Sequence, residues 1–172
     1  MTKKLLLTLS SVIAAVLFWY YFGAVSILKD DTSSFSKLQC VSYAPFAKDE
    51  SPFLFDNGLV ISSNRVREDL KLLSKYTDCI RTYSTVGLEM IPAIARENNL
   101  KMLMGAWVSK DKVQTKQELD TLIKLASENQ DIVRAVIVGN EVLLRGDTSD
   151  VQLLEYLKQV KTALPNTKVT YA

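Results

Sequence analysis

Glu141 stands where a carboxyl group can meet a bound substrate, directly after a predicted buried strand. The apolar run Ala135–Val138 leads into Gly139 and Asn140, and Glu141 follows. A carboxyl group at such a strand end, beside a small glycine, can act as a general acid or base. A solvated loop glutamate is the alternative, since that describes most glutamates. We predict that Glu141 is catalytic.

Aromatic and polar side chains occupy corresponding positions after the other predicted strands. In chain order they are Tyr43 and Phe46, Arg81 and Tyr83, Trp107, Asn140, and Tyr171. Aromatic faces stack on the C–H faces of sugar rings, and Arg and Asn hydrogen-bond to hydroxyl groups. Each residue alone is more typical of a core or rim. Their coincidence at one end of successive strands predicts a carbohydrate-binding surface.

The composition excludes several catalytic chemistries. The sequence contains 0 His, so neither a Ser-His-Asp triad nor an imidazole metal site is available. Cys40 and Cys79 are too few for a four-cysteine zinc site, and we expect no metal. Each cysteine lies in an apolar strand-like run, so we predict two buried thiols; oxidation of the pair in an exported domain is the alternative. Catalysis must then rest on carboxylates, Lys, Tyr or a bound cofactor.

Brief apolar runs alternate with helical patterns along most of the chain. The predicted strands are 38–44, 79–83, 101–107, 133–138 and 168–171. Helical patterns lie between them, and two begin with apparent capping boxes, Thr115-x-x-Glu118 and Ser149-x-x-Gln152. The pattern over 88–98 is weaker because Pro92 is tolerated only in a first helical turn.

This alternation predicts an α/β fold with a parallel sheet. Two parallel architectures remain, a doubly wound open sheet and a (β/α)8 barrel. The chain has only 6 Gly and carries neither GxGxxG nor a Walker pattern, so a nucleotide-binding sheet and its cofactor are poorly supported. A net charge of +2 without a dense Lys/Arg stripe gives no support to a nucleic-acid partner. We favour the barrel and expect no cofactor.

The amino terminus carries a long uncharged block. Residues 5–28 contain no charged side chain, and Lys3 and Lys4 precede them. A helix of that length spans about 36 Å, enough for a hydrocarbon core of ~30 Å. We predict a cytoplasmic flank at 1–4, a transmembrane signal anchor at 5–28, a linker at 29–37 and an exported domain at 38–172. A cleaved secretory signal is the alternative.

Five segments together resemble glycoside hydrolase family 17, the β-1,3-glucanases and related glucanosyltransferases. They are Tyr43-Ala44-Pro45-Phe46, Arg81-Thr82-Tyr83, Leu103-Met104-Gly105-Ala106-Trp107, Val138-Gly139-Asn140-Glu141-Val142 and Val169-Thr170-Tyr171-Ala172. They occur in the expected order over most of residues 38–172. The resemblance implies a (β/α)8 barrel, β-glucan as the partner and a retaining mechanism with two glutamates.

On this resemblance Glu141 is the acid/base, and Asn140 holds a sugar hydroxyl beside the scissile bond. The family's nucleophile comes from a later strand, so none is expected in this chain; Glu89 and Asp111 are poor substitutes because they lie in helix-start or loop contexts. We therefore expect the amino-terminal half of a barrel, about four βα units plus a fifth strand. Such a fragment should not hydrolyse glucan alone.

Two further questions stay open at this point. Hydrolysis and transglycosylation share the same first step, and the sequence does not separate them. A non-catalytic, membrane-anchored glucan-binding or scaffold protein is the alternative function.

A half barrel also has unpaired edge strands and an uncovered apolar face, which predicts self-association.

Overall fold

The computed structural model describes residues 3–23 and 37–172. The chain divides into two compact units, and the boundary falls between Ser36 and Lys37. The first contains the helix α1, Lys3–Phe22. The predicted linker at 29–37 lies almost entirely outside the described residues.

The predicted transmembrane helix over 5–28 is wrong. Among the described residues, no helix is both long and apolar enough to cross a membrane. Helix α1 includes only 18 residues of the apolar block, Leu5 to Phe22. Hydroxyl side chains such as Thr8 and Ser11 interrupt these apolar residues. The remainder of the block, 24–28, lies outside the described residues.

The second unit alternates strands and helices, as predicted. Its elements are β1 Val41–Ser42, α2 Ser63–Leu73, β2 Cys79–Arg81, α3 Ile91–Glu97, β3 Lys101–Ala106, α4 Lys112–Glu128, β4 Val133–Val138, α5 Asp150–Ala163 and β5 Lys168–Thr170, with a short 3-10 helix at Pro52–Asn57. The strands pair in parallel in the order β1-β2-β3-β4-β5. Sequential parallel strands joined by helices are consistent with part of a (β/α)8 barrel.

The apolar core lies between the sheet and its helices. In β4 the alternate residues Val136 and Val138 belong to this core and are fully buried, as are Met102 and Met104 in β3. Side chains of a strand alternate between the two faces, so one face of the sheet packs against the helices. The helices contribute an apolar stripe formed by Val66, Leu70, Leu119, Leu122, Leu153 and Val160.

Cys40 and Cys79 form a disulfide, so the predicted pair of free thiols is wrong. The two residues lie side by side because Val41 pairs with Ile80 in the parallel ladder of β1 and β2. Their Cα atoms are 4.3 Å apart, although 39 positions separate them in sequence. The bond ties the short edge strand β1 to its neighbour.

The helix α4 begins three residues earlier than its predicted cap. Asp111 is the N-cap, and its carboxylate accepts hydrogen bonds from the Val113 and Gln114 amides. Thr115 therefore lies inside the helix rather than at its start, and the predicted capping box there is wrong. For α5 the predicted N-cap is confirmed, since Ser149 Oγ accepts from Gln152 N at 3.2 Å. The Gln152 side chain donates instead to Glu155 Oε2 at 2.8 Å, so the N-cap half of the capping box is the part that forms.

Gly105 lets β2 and β3 approach closely just below their carboxyl ends. A Cβ atom at this position would lie 2.4 Å from the Thr82 carbonyl oxygen and 3.0 Å from the Tyr83 Cα. No side chain fits against backbone at such distances. The glycine thus brings the Tyr83 backbone against β3, beside Trp107.

Candidate functional site

Four of the predicted binding residues line one cavity beyond the ends of β1, β2 and β3. They are Tyr43, Phe46, Tyr83 and Trp107, and the cavity holds about 270 Å³. This volume lies just below the ~300–1,000 Å³ of typical small-molecule sites. The other lining residues are Ala44, Pro52, Phe55, Ser84, Val86, Leu88, Gln114, Gln117 and Glu118. The cavity therefore combines aromatic walls with amide and carboxyl groups from α4.

Tyr43 and Phe46 form the inner wall of this cavity. The Tyr43 side chain is only 8% exposed, and its hydroxyl donates to Asp69 Oδ2 at 2.9 Å. Burial, with the hydrogen bond to the Asp69 carboxylate, raises the pKa of the Tyr43 phenol far above its ordinary value. The Phe46 ring packs edge-to-face on Phe55, with 5.9 Å between centroids. Both rings are fixed before any ligand binds.

Arg81 connects the cavity to the end of β4. Its Nη2 donates to Asn140 Oδ1 at 2.6 Å, and its guanidinium lies 4.7 Å from the centre of the Tyr83 ring. The Tyr83 hydroxyl in turn donates to Ser42 Oγ at 3.0 Å. Arg81 Nε is buried and has no acceptor among the described residues. Three of the predicted residues, Arg81, Tyr83 and Asn140, thus form one contact network.

Glu141 is exposed and does not line the cavity. Its backbone adopts the left-handed region with φ 53°, where non-glycine residues are uncommon and are enriched at functional sites. Its amide donates to the Ala172 carbonyl at 2.6 Å, which fixes the residue beside the end of β5. There the Tyr171 hydroxyl accepts from the Leu143 amide at 3.3 Å. Glu141 and Tyr171 therefore share the β4–β5 side of the site.

Sequence reasoning missed Arg145, which bridges the two parts of the site. Its guanidinium lies 4.7 Å from the Trp107 ring centre, and it donates to the Asn140 carbonyl oxygen and to Asp147. The one available signal was its spacing from Glu141. Arg145 lies four positions after Glu141, one turn later, and its amide donates to the Glu141 carbonyl at 2.9 Å.

The sequence pattern placed Glu118 in a capping box, and this assignment is wrong. The side chain is only 4% exposed, and its carboxylate accepts hydrogen bonds from the segment after β2 and from the Trp107 amide. Burial raises the pKa of the Glu118 carboxyl, and these donors oppose that effect. The Thr115-x-x-Glu118 pattern was visible, but its spacing also suits two inward-facing residues of a helix.

The two other acidic residues considered above act in local turns. Glu89 Oε1 accepts from the Gly87 amide at 3.0 Å, while Asp111 caps α4. Within 3–23 and 37–172, no group of three or more acidic or cysteine side chains is arranged to hold a metal ion.

Parallel βα units with aromatic, amide and carboxyl groups gathered at their carboxyl ends define a class, the barrel-type α/β proteins. Residues 40–172 match the BtgE/BtgC glycoside hydrolase domain. The chain belongs to this family of glycoside hydrolase domains.

Relatives and solved structures agree with the family assignment. The chain is 34% identical over 116 residues to "Probable beta-glucosidase btgE" of Aspergillus flavus, which covers 66% of this chain and 19% of that protein. It is 29% identical over 101 residues to "Glucan 1,3-beta-glucosidase" of Arthroderma benhamiae, covering 57% and 32%. The chain thus spans about a fifth to a third of these relatives.

A solved structure shares the fold. The crystal structure of the glycoside hydrolase family 17 β-1,3-glucanosyltransferase from Rhizomucor miehei superposes with a TM-score of 0.62 at 25% identity, covering 77% of this chain and 48% of that one. An active-site mutant of the same enzyme is known in complex with laminaritriose. The resemblance to glycoside hydrolase family 17 is confirmed.

Proposed function

We propose that this domain binds β-1,3-glucan and that Glu141 is the acid/base of a retaining reaction on it. One observation carries the proposal: the Asn140-Glu141 pair at the end of β4 is tied through Arg81 to an aromatic cavity. The aromatic rings suit stacking on sugar faces, and Arg81 and Asn140 suit hydrogen bonds to hydroxyl groups. The glucan-active relatives support the choice of substrate.

In this reaction Glu141 protonates the departing glycosidic oxygen while a second carboxylate attacks the anomeric carbon. The second carboxylate must lie about 5–5.5 Å from the first, and a covalent glycosyl-enzyme results. Glu141, now a base, then removes a proton from water or from a sugar hydroxyl, which attacks the same carbon and releases the second carboxylate. We assign no nucleophile within these residues. A later barrel strand would supply it, as in the retaining mechanism of family 17.

We also propose that the domain functions outside the cytoplasm. The Cys40–Cys79 disulfide supports this, because such bonds persist in oxidising compartments and are rare in the cytosol. The cleaved-signal interpretation of the amino-terminal block stays a prediction. Amino-terminal sequencing of secreted protein, with detection of the disulfide in it, tests both.

Glucan binding by the chain tests the first proposal. Calorimetry with β-1,3-linked gluco-oligosaccharides should detect binding, and β-1,4-linked oligosaccharides of equal length should bind more weakly. Arg81→Met should weaken binding about tenfold, because hydrogen bonds to charged groups contribute ~1.5–3 kcal/mol. Arg134→Met, the same change at an exposed position of β4, is the matched control. Equal affinity of both oligosaccharides, or no effect of Arg81→Met, would contradict the proposal.

A further inference from the structure

Glu118 is a buried carboxylate to which the proposed mechanism gives no task. It projects from α4 into the wall of the aromatic cavity. Its oxygens accept hydrogen bonds from two separate segments of the chain that follow different strands. Because removal of a buried acceptor leaves its donors unsatisfied, such a group strongly constrains the segments that it holds.

The first segment follows β2. Glu118 Oε2 accepts from the Thr85 amide at 2.9 Å and lies 2.9 Å from the Thr85 hydroxyl, while Oε1 accepts from the Val86 amide at 3.3 Å. Thr85 is 1% exposed. The segment begins directly after Tyr83 and Ser84, both of which line the cavity.

The second segment follows β3. Glu118 Oε2 also accepts from the Trp107 amide at 3.3 Å. One turn earlier on α4, Thr115 Oγ1 accepts from the Ser109 amide at 3.1 Å and lies 3.2 Å from the Ser109 carbonyl oxygen. The inner face of α4 therefore holds the backbone of 107–109 at two points.

We propose that Glu118 is a positioning residue for glucan recognition. Its carboxylate joins the segments after β2 and β3 so that Tyr83 and Trp107 face one cavity at a fixed separation. The inference rests on the proposed function for its substrate, but the positioning itself does not depend on which sugar binds. Its partners are N–H and O–H donors, so the requirement is for an acceptor and not for side-chain volume alone.

Three variants separate these requirements. Glu118→Gln keeps the volume and one acceptor oxygen. Its NH2 group replaces the other oxygen and faces at least one backbone N–H, and two donors form no hydrogen bond. Glu118→Leu keeps much of the volume and removes every acceptor. Glu128→Gln makes the matched change at an exposed position of the same helix and serves as the control. Thr85→Val leaves Glu118 in place and removes one of its hydrogen-bond donors, the Thr85 hydroxyl.

Trp107 reports on its own position. The sequence has 2 Trp, so Trp19→Phe leaves Trp107 as the only one, and its emission maximum and acrylamide quenching can be followed in the full chain. In that background Glu118→Leu should shift the emission to longer wavelength and increase quenching. Glu118→Gln should do so less, Thr85→Val least, and Glu128→Gln not at all.

Glucan affinity is the second measurement, made well below the melting temperature of every variant. Binding of β-1,3-gluco-oligosaccharides should weaken about tenfold or more in Glu118→Leu and about threefold in Glu118→Gln, in line with lost hydrogen bonds to a charged acceptor. Loss of stability alone would leave both the emission and the affinity of the folded protein unchanged. Should Glu118→Leu fail to fold, Glu118→Gln and Thr85→Val carry the test.

Unchanged Trp107 emission in Glu118→Gln and Thr85→Val, judged against Glu128→Gln, overturns the inference. If the Trp19→Phe parent itself binds no β-1,3-glucan, the proposed function fails, whereas the emission series still decides whether Glu118 positions Trp107. Parent binding with a changed emission but unchanged affinity also overturns the inference, since the positioning would then not matter for recognition.

Discussion

The two ends of the candidate site are built in different ways. The cavity end, around Tyr43, Tyr83 and Trp107, is lined on one side by α4. There the Asp69 carboxylate accepts a hydrogen bond from the Tyr43 hydroxyl, and the Glu118 carboxylate accepts one from the Trp107 amide. The acid end, around Glu141, is exposed and is held by its backbone: φ is 53°, in the left-handed region, and the Glu141 amide donates a hydrogen bond to the Ala172 carbonyl.

On the proposed function, the cavity end serves binding and the end around Glu141 serves catalysis. A cavity whose rings are fixed before binding loses little side-chain entropy when a sugar enters, which favours recognition. In the proposed reaction, the exposed Glu141 gains its catalytic environment only when substrate and a second carboxylate enclose it. Arg81 and Arg145 are the links between the ends, because each contacts both an aromatic ring of the cavity and Asn140. Variants at the two ends should therefore separate binding from catalysis.

The largest effect should come from the acid end. In a version of the protein that carries the later barrel strands, Glu141→Gln should reduce glucan turnover about 10²–10⁴-fold, because Gln can neither donate nor remove the required proton. Binding by the present chain should change little. Aryl glycosides with very acidic leaving groups should be spared in the first step.

Glu89→Gln is the control for that experiment, since Glu89 also follows a strand but bonds only to a local turn. Turnover by the Glu89→Gln variant should stay within a few-fold of that of the unchanged protein. Equal losses in the two variants, or turnover near normal in Glu141→Gln, would show that Glu141 is not the acid/base.

An intermediate effect should arise through the disulfide at the amino ends of β1 and β2, the strands that lead to the cavity end. Replacing Cys40 and Cys79 together by Ser should lower the free energy of unfolding by about 4 kcal/mol, from the chain-entropy relation for a bridge across 39 positions. Denaturant unfolding measures this. Dithiothreitol should destabilise the unchanged protein and leave the double variant unaffected; an identical response of both would show that the bridge contributes nothing.

The smallest expected effect is a change in melting temperature. It concerns the amino end of β4, away from both parts of the site. The Arg96 guanidinium lowers the pKa of Asp131 from 3.8 to about 2. A lowered folded-state pKa means that the stabilisation is present above pH 3.8 and is lost as pH falls through about 2. Asp131→Asn should therefore lower the melting temperature slightly at neutral pH, with the difference vanishing toward pH 2.

High salt should reduce that difference, because the pair is exposed and ions screen it. Glucan affinity at neutral pH should be unaffected. A melting-temperature difference that grows on acidification would contradict the assignment, and a change in affinity would show that the amino end of β4 is coupled to the site.

The sequence by itself determined the parallel order of strands and helices and the identity of the strand-end residues. Apolar runs such as Ala135–Val138 and the cap at Ser149 are local signals, and local signals decide which element forms. The amino-terminal block shows the limit of such reasoning. Its lack of charge suggested a span, but the helix that forms ends at Phe22.

Only the tertiary structure decided which distant residues meet. The pairing of Cys40 with Cys79 depends on the register of β1 against β2, and the role of Glu118 depends on two segments that approach α4 from different strands. The contact of Arg145 with Trp107 likewise joins residues from different βα units. These contacts are set by packing, in which register and approach depend on the whole sheet, and no short stretch of sequence contains that information.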